Sequence, residues 1–223
     1  METRSVDGRR LTDQGRERKQ QLLDHAADLF SRRGYADTRV VDICEAAGVA
    51  KGLFYWYFEN KEALFAELVT SMRLRLRRAQ SEAMDPNMDP LIRLRQGAEA
   101  SLRFMAGHAP FFSLLEVENR DQTWTELLRA GTEVHAQDVA ALIGEGIDLG
   151  LIREDDPTLL AYGVVGLVST YSHFQRTGRL GATLDEIAEV VGRFVVRSLA
   201  ADDEIARRAE RIPSQIPAAG ALG

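Results

Sequence analysis

Apolar residues recur along this 223-residue chain at the spacing of one face of an α-helix, and this periodicity most constrains the fold. The first such face comprises Leu22, Leu23, Ala26, Ala27, Leu29 and Phe30. Later apolar stretches repeat the same spacing, and none alternates apolar and polar residues as a half-buried strand does. The chain is therefore predicted to be all-α, with about nine helices.

Capping residues and prolines predict where the helices begin and end. The predicted starts lie at Thr38, Asn60, Asp89-Pro90, Asp156-Pro157 and Thr183 with Glu186. Gly34 is expected to end the first helix, because glycine adopts the positive φ that often follows a last helical turn. Asp85 to Pro90 is the first clear break in the pattern, and a domain boundary is predicted just before it.

Charge is distributed unevenly between the two parts of the chain. The net charge is −6, yet residues 1–78 hold 15 Lys and Arg against 12 Asp and Glu, while residues 79–223 hold 13 against 22. The three lysines, Lys19, Lys51 and Lys61, all lie in the first part. A mildly basic module joined to an acidic body is typical of a protein that contacts nucleic-acid phosphates at one end only.

Several classes of protein are disfavoured by the sequence. There is no apolar run of about 20 residues and no apolar core of a signal peptide near the N-terminus, so a soluble, cytoplasmic protein without a membrane partner is expected. A single cysteine, Cys44, and four scattered histidines predict neither a disulfide framework nor a metal site. Cys44 is interpreted as a small buried residue, with a redox sensor as the alternative. No nucleophile–base pair or phosphate-binding loop stands out, so neither an enzyme nor a cofactor is expected.

The segment from Thr38 to Phe58 predicts two short helices joined by a tight turn at Gly48, a helix-turn-helix arrangement. The second of these helices is expected to run from Lys51 to Tyr57, with Phe54 and Phe58 on its core side. Its outward residues would be Lys51, Gly52, Tyr55 and Trp56. Exposed aromatic rings and a lysine suit contact with DNA sugars, bases and phosphates. From the residues alone, a helical hairpin whose aromatic side chains only fill a core is equally favoured.

A resemblance to a known family favours the DNA-binding interpretation. The matching residues are Ala26-Ala27-Asp28-Leu29-Phe30, Gly34-Tyr35, Thr38, Asp42-Ile43, Ala46-Ala47-Gly48-Val49, Lys51-Gly52-Leu53-Phe54-Tyr55-Trp56-Tyr57-Phe58 and Asn60-Lys61-Glu62-Ala63-Leu64. Together they resemble the DNA-binding domain of the TetR family of repressors, over about residues 15–65. The rest of the chain resembles that family only in its helical pattern and its length.

This resemblance implies a homodimer in which each subunit places its third helix in the major groove of one half of a palindromic operator. The implied DNA-binding residues are Thr38, Arg39, Lys51, Gly52, Tyr55, Trp56, Tyr57 and Lys61. Thr38 is expected both to cap the second helix and to touch phosphate, and Lys61 to grip phosphate at the start of the fourth helix. Ala50 departs from the family pattern, in which Ser or Thr commonly caps the third helix.

The predicted organisation is a basic flexible arm over residues 1–14, a helix-turn-helix domain over 15–83, a helical effector-binding and dimerisation domain over 84–211, and a disordered tail over 212–223. The resemblance implies an unidentified small-molecule effector in the third of these segments. The candidate ligand residues, for which ordinary core packing is the alternative, are Phe104, Met105, His108, Phe111, Phe112, Leu115, Arg120, Trp124 and His135.

Two helices near the C-terminal end are predicted to form half of an intersubunit four-helix bundle, because a stripe of small residues there lets helices approach closely. The predicted interface residues are Tyr162, Gly163, Gly166, Ser169, Ile187, Val191, Phe194 and Val195. A hairpin that packs only on its own domain is the alternative.

The function expected from the sequence is therefore that of a sequence-specific transcriptional regulator, a repressor released from its operator by a ligand. A helical-bundle enzyme and a non-specific DNA-binding protein are the alternatives.

Overall fold

The computed structural model describes residues 11–118 and 122–213, and within these ranges the fold is all-α, as predicted. Its helices are α1 (Asp13–Arg33), α2 (Val40–Ala46), α3 (Lys51–Tyr57), α4 (Lys61–Ala83), α5 (Pro90–Gly107), α6 (Ala109–Glu118), α7 (Gln122–Asp148), α8 (Pro157–Arg176), α9 (Leu184–Leu199) and α10 (Asp203–Glu210). The short α10, capped by Asp202, is the element that the sequence pattern missed. None of the helices in the described ranges is long and apolar enough to cross a membrane.

Some sequence-based expectations fall on residues that the structure does not describe. These are Arg120, residues 1–10 of the predicted arm and residues 214–223 of the predicted tail. Of the arm, Leu11 is buried and Thr12 caps α1, which begins at Asp13.

Most of the predicted helix ends are confirmed. Gly34 follows the last residue of α1 with a φ of 84°. The Asn60 side chain accepts a hydrogen bond from the Ala63 amide at 2.7 Å, and the Asp89 carboxylate accepts one from the Ile92 amide at 3.1 Å. Asp156 caps α8, and Thr183 and Glu186 form the predicted capping box of α9. These local signals succeed because each depends on only three or four neighbouring residues.

The cap predicted at Thr38 is wrong. Helix α2 is capped by Arg39, whose backbone amide donates to the Asp42 carboxylate at 2.9 Å. The Thr38 side chain is fully buried, and its hydroxyl donates to the Gly34 carbonyl oxygen at 2.8 Å. Thr38 therefore closes the loop between α1 and α2, and its side chain does not reach the surface where a phosphate would bind.

The described chain divides into two compact units. The first comprises the described residues of Met1–Leu74 and Pro110–Thr125, and the second those of Arg75–Ala109 and Glu126–Gly223. Helices α4 and α7 each continue from one unit into the other.

An aromatic cluster lies in the core of the first unit. The Tyr35 ring centroid is 5.3 Å from that of Phe30, 5.0 Å from that of Phe65 and 5.2 Å from that of Trp124. Trp124 is buried against Phe65 at 4.5 Å, so this predicted ligand residue is part of the core. Aromatic pairs at these separations add directional contacts to the burial of their apolar area.

The second unit is built around α5, which packs against α8 and α9. Besides its apolar residues, α5 buries an ion pair in which Arg95 Nε donates to Glu99 Oε1 at 2.8 Å. Arg95 also donates to the carbonyl oxygens of Ala209 and Ile212, at 3.1 and 2.8 Å. The buried charge is therefore compensated, and it ties the end of α10 to the centre of the unit.

Candidate DNA-binding interface

Helices α2 and α3 are joined by the tight turn expected of a helix-turn-helix. Gly48 has a φ of 65°, a conformation that glycine adopts without strain, and the Val49 amide donates to the Cys44 carbonyl oxygen at 3.0 Å. Cys44 itself is buried, as expected, and burial raises the pKa of its thiol, which disfavours the reactive thiolate.

One face of α3 is anchored in the core of the first unit. Phe54 and Phe58 are almost completely buried, with ring centroids 5.5 Å apart. Ile43 and Cys44 on α2 are buried as well. The orientation of α3 is therefore fixed from beneath by large apolar side chains, as the four-residue spacing of the two phenylalanines predicted.

The opposite face of α3 presents Lys51, Gly52 and Tyr55 to solvent. Tyr55 is 45% exposed, and the Lys51 ammonium lies 5.8 Å from the centroid of its ring. Trp56 is half-buried, with its ring 4.8 Å from that of Tyr57. No side chain caps α3 at Ala50, in agreement with the missing Ser or Thr. The exposed set combines a cation, a small residue that permits close approach, and an aromatic hydroxyl.

Tyr57 does not lie on this exposed face. It is 5% exposed, and burial raises the pKa of its phenol. In a helix, a residue three positions after Phe54 lies on nearly the same side, so Tyr57 faces inward with the phenylalanines. The expectation that Tyr57 contacts DNA is therefore corrected.

Arg39 is exposed at the start of α2 and pairs with Asp42 on the first turn of that helix. The distance from Arg39 Nη2 to Asp42 Oδ1 is 2.9 Å. Hydrogen bonds from the Arg39 guanidinium and backbone amide lower the pKa of Asp42 to about 2. The Arg39 side chain is available at the surface, with part of its charge engaged by this carboxylate.

Lys61, which is predicted to bind phosphate, holds the loop between α1 and α2 in this structure. Its ammonium donates to the carbonyl oxygens of Tyr35 at 2.7 Å, Thr38 at 2.9 Å and Ala36 at 3.4 Å. It also lies 4.2 Å from the centroid of the Tyr35 ring. A lysine ammonium has three N–H donors, so these contacts use all of them.

Lys19 lies on the apolar face of α1, in a role that was not predicted from the sequence. Its side chain is 6% exposed, and its ammonium lies 2.7 Å from the Glu67 carboxylate of α4 and 5.2 Å from the centroid of the Phe58 ring. The sequence does indicate that Lys19 is buried, because it falls on the same helical face as Leu22, Leu23 and Ala26. Its partner on α4 was not predictable from that face.

Comparisons with known proteins agree with this geometry. Residues 22–68, which span most of α1 and all of α2 and α3, match the family model of bacterial regulatory proteins of the tetR family. The chain is 34% identical, over 148 residues, to the HTH-type transcriptional repressor DhaR of Mycobacterium sp. (strain GP1), covering 64% of this chain and 74% of DhaR. The chain belongs to the TetR family of bacterial regulatory proteins.

Similarity to other TetR-family members extends into the second unit. The chain is 25% identical to the HTH-type transcriptional regulator YhgD of Bacillus subtilis (strain 168) over 188 residues, covering 83% of this chain and 98% of YhgD. It superposes with a TM-score of 0.65 and 26% identity on a TetR-like transcriptional regulator from Rhodococcus sp. RHA1, covering 81% and 94% of the two chains. This TetR-family protein is thus a transcriptional regulator with a helix-turn-helix DNA-binding domain.

The residues predicted to form the dimer interface of this TetR-family regulator fall into two groups. Tyr162, Gly163, Gly166, Ser169 and Phe194 are exposed on α8 and α9. Ile187, Val191 and Val195 are buried on the opposite face of α9, within the core of the second unit, so their assignment to the interface is corrected. Helix α9 is strongly two-sided, and α5 already covers its apolar face.

The predicted ligand residues are divided between the two units. Phe111, Phe112, Leu115 and Trp124 belong to the first unit, and Phe104, Met105, His108 and His135 to the second. The His108 ring stacks on Phe104 at 4.2 Å, and its Nε2 lies 3.1 Å from Arg75 Nη2. A cavity of about 80 Å³ lies within the second unit, and His135 is the predicted residue that lines it. Its other walls come from α4, α5, α7 and α8. The sequence pattern could not predict that these helices meet.

Proposed function

We propose that this TetR-family regulator is a cytoplasmic repressor that binds a palindromic operator as a homodimer and is released from it by a small molecule. Lys51, Gly52 and Tyr55 are the residues proposed to contact DNA most directly, and the exposed Arg39 and half-buried Trp56 are proposed to add further contacts.

The observation that carries this proposal is the two-sidedness of α3. A seven-residue helix buries Phe54 and Tyr57 while it exposes Lys51 and Tyr55, although large aromatic side chains are normally buried. On DNA, the lysine of this face would contact phosphate and the tyrosine would contact the edges of bases. A hairpin that served only to fill a core would have no need of an exposed tyrosine beside a lysine.

The exposed stripe on α8 and α9 supports the homodimer. Leu159, Tyr162 and Phe194 are 68%, 45% and 51% exposed. Gly163, Gly166 and Ser169 are exposed on the same face of α8 as Leu159 and Tyr162. Exposed apolar residues beside small ones suit the close packing of two helices from another copy. A two-fold homodimer would present two α3 helices and would match a palindromic operator.

The cavity in the second unit supports control by a small molecule, and we propose it as the effector site. Gln80 of α4 and Met84, which directly follows that helix, line it, and α4 begins at Lys61 in the first unit. An effector would shift operator affinity only if it bound the DNA-incompetent arrangement more tightly than the DNA-bound one.

Selection of binding sites from random duplexes tests the DNA-binding part of the proposal. The purified protein is expected to enrich a palindromic sequence. On that duplex, Y55A is expected to weaken binding about tenfold or more, whereas L74A, which truncates another half-exposed side chain of the first unit, should bind as the wild type does. Enrichment of a sequence without two-fold symmetry would overturn the palindromic operator, and equal binding by Y55A would overturn the role of α3.

A transcription assay tests repression. With the selected duplex placed across a promoter, the protein is expected to lower transcript yield. An increase in transcript yield would identify an activator.

A further inference from the structure

The cavity of the second unit is mainly apolar. Side chains that form its walls include Leu94, Ala98, Val139, Leu142, Val164 and Val168, contributed by α5, α7 and α8. Gly97 and Met84 lie side by side in this lining, since a Cβ atom at Gly97 would be in contact with the Met84 sulfur at 3.4 Å. Such walls favour an aliphatic group over a polar one.

Arg93 adds a cation to this apolar lining. Its Nε is buried and has no hydrogen-bond partner within the described ranges. The guanidinium has one long contact, 3.5 Å from Nη1 to Glu145 Oε2, and its side chain is 28% exposed. The terminal N–H groups of the guanidinium are therefore loosely held, and an acceptor supplied by a ligand would give them a closer partner.

The other polar groups at the cavity already have partners or carry no charge. Both carboxylate oxygens of Asp138 are bound by Arg77, at 3.0 and 2.8 Å. Gln80 donates to Ser101 at 2.7 Å. Burial lowers the pKa of His135, although Asp138 opposes this effect, and the imidazole is therefore neutral at pH 7. Arg93 is thus the lining cation, and its guanidinium is held by one long contact to Glu145.

We propose that the effector is a short-chain aliphatic carboxylate, whose head accepts hydrogen bonds from Arg93 and whose alkyl chain lies among the valine and leucine side chains. This inference rests on the proposed ligand-released repressor. A guanidinium is the side chain best suited to bind a carboxylate through two parallel hydrogen bonds. The cavity is about 80 Å³, whereas an apolar cavity of about 150 Å³ accommodates benzene, so only a chain of a few carbons fits without separating the helices.

The test compares two variants that remove an arginine from α5. Arg103 is the matched control. Like Arg93, it pairs with a carboxylate, that of Asp185, and has a buried Nε without a partner in the described ranges. Unlike Arg93, it does not line the cavity. Thermal unfolding of wild type, R93Q and R103Q is measured with butanoate, and with 1-butanol and butyltrimethylammonium as neutral and cationic probes of equal chain length. Butanoate is expected to stabilise wild type and R103Q, and to bind R93Q at least about tenfold more weakly.

Equal stabilisation by butanoate, 1-butanol and butyltrimethylammonium would overturn the carboxylate, and an R93Q response equal to that of wild type would overturn the role of Arg93. Stabilisation by dodecanoate but not by butanoate would overturn the short chain.

Operator binding, measured on the same samples, separates this inference from the proposed function. If butanoate neither stabilises the protein nor weakens its binding to the operator, the carboxylate effector is overturned. The proposed repressor function is not affected by that result. A protein that selects no DNA overturns the proposed function itself, whatever butanoate does to its stability.

Discussion

Lys61 joins two segments that flank the helix-turn-helix. Its ammonium binds the carbonyl oxygens of Tyr35, Ala36 and Thr38 just before α2, while its own backbone begins α4 just after α3. One side chain therefore holds together the entrance and the exit of the α2–α3 pair. A phosphate contact by the same ammonium would require at least one of these carbonyl oxygens to be given up.

Replacing Lys61 by methionine is expected to lower the free energy of unfolding by about 1–3 kcal/mol, because three carbonyl oxygens lose a charged donor. Operator affinity should fall, whereas the slope of log affinity against log salt concentration should stay unchanged. Chemical denaturation and salt titrations of DNA binding measure the two quantities.

Replacing Lys51 by methionine provides the contrasting variant, since this side chain is exposed on α3. It should leave the stability unchanged and make the salt slope shallower by about one unit, as expected for one lost phosphate contact. If Lys61→Met gave this result instead, Lys61 would be a phosphate ligand after all.

At the scale of one element, α2 begins with a reciprocal arrangement of Arg39 and Asp42. The backbone amide and guanidinium of Arg39 both donate to the Asp42 carboxylate. This carboxylate also lies in the first turn, where negative charge is favoured by the helix dipole. For a helix of seven residues, such an end contributes much of what keeps it from fraying.

A consequence for pH follows from the pKa of Asp42, which is lowered from 3.8 to about 2 in the folded protein. A group whose pKa is lower when folded stabilises the fold at pH values above its unfolded pKa, and this contribution disappears as the pH falls through the folded pKa. Asp42→Asn should therefore be less stable than wild type at pH 7, and the difference should close between about pH 4 and pH 2.

Thermal unfolding followed by circular dichroism across this range checks the expectation. Glu45→Gln removes a carboxylate from the same helix outside the capping arrangement and serves as the control. A gap between Asp42→Asn and wild type that persisted at pH 2 would show that the charge of Asp42 is not its cause.

At the scale of the whole molecule, the two units present different surfaces. The first exposes the outer face of α3, and the second exposes the stripe of small and aromatic residues on α8 and α9. The proposed dimer assigns each surface one partner, DNA for the first and a second copy of the chain for the second.

Replacing Phe194 by aspartate is expected to yield a folded monomer, because the new charge would be desolvated at the proposed interface while it remains hydrated in the single chain. Sedimentation at micromolar concentration measures the change. Leu149→Asp is the control, since Leu149 is 60% exposed, directly follows α7 and belongs to neither α8 nor α9. A Phe194→Asp protein that still sedimented as a dimer would place the interface elsewhere.

Helix positions were largely predictable, whereas the direction of several side chains was not. Caps such as Asn60 and Asp89 depend on residues three positions away, so their signal lies in one short stretch. Thr38 carries a side chain suited to capping, but it is turned inward to Gly34, and the neighbouring Arg39–Asp42 pair caps the helix instead. The direction of the Thr38 side chain depends on how the loop between α1 and α2 packs, which the local capping signal does not specify.

The all-α fold, the helix-turn-helix and the family were all predictable from the sequence, because helical periodicity, caps and an ordered motif each involve residues close together in the chain. Three further facts became visible in the folded protein: Lys61 binds backbone carbonyls, Tyr57 is buried, and Arg93 lines an apolar cavity. Each of these facts depends on which side chains from distant helices meet, and on how completely they exclude water. A linear pattern encodes the face on which a residue lies, but the partner on the facing helix is set by the packing of the folded chain.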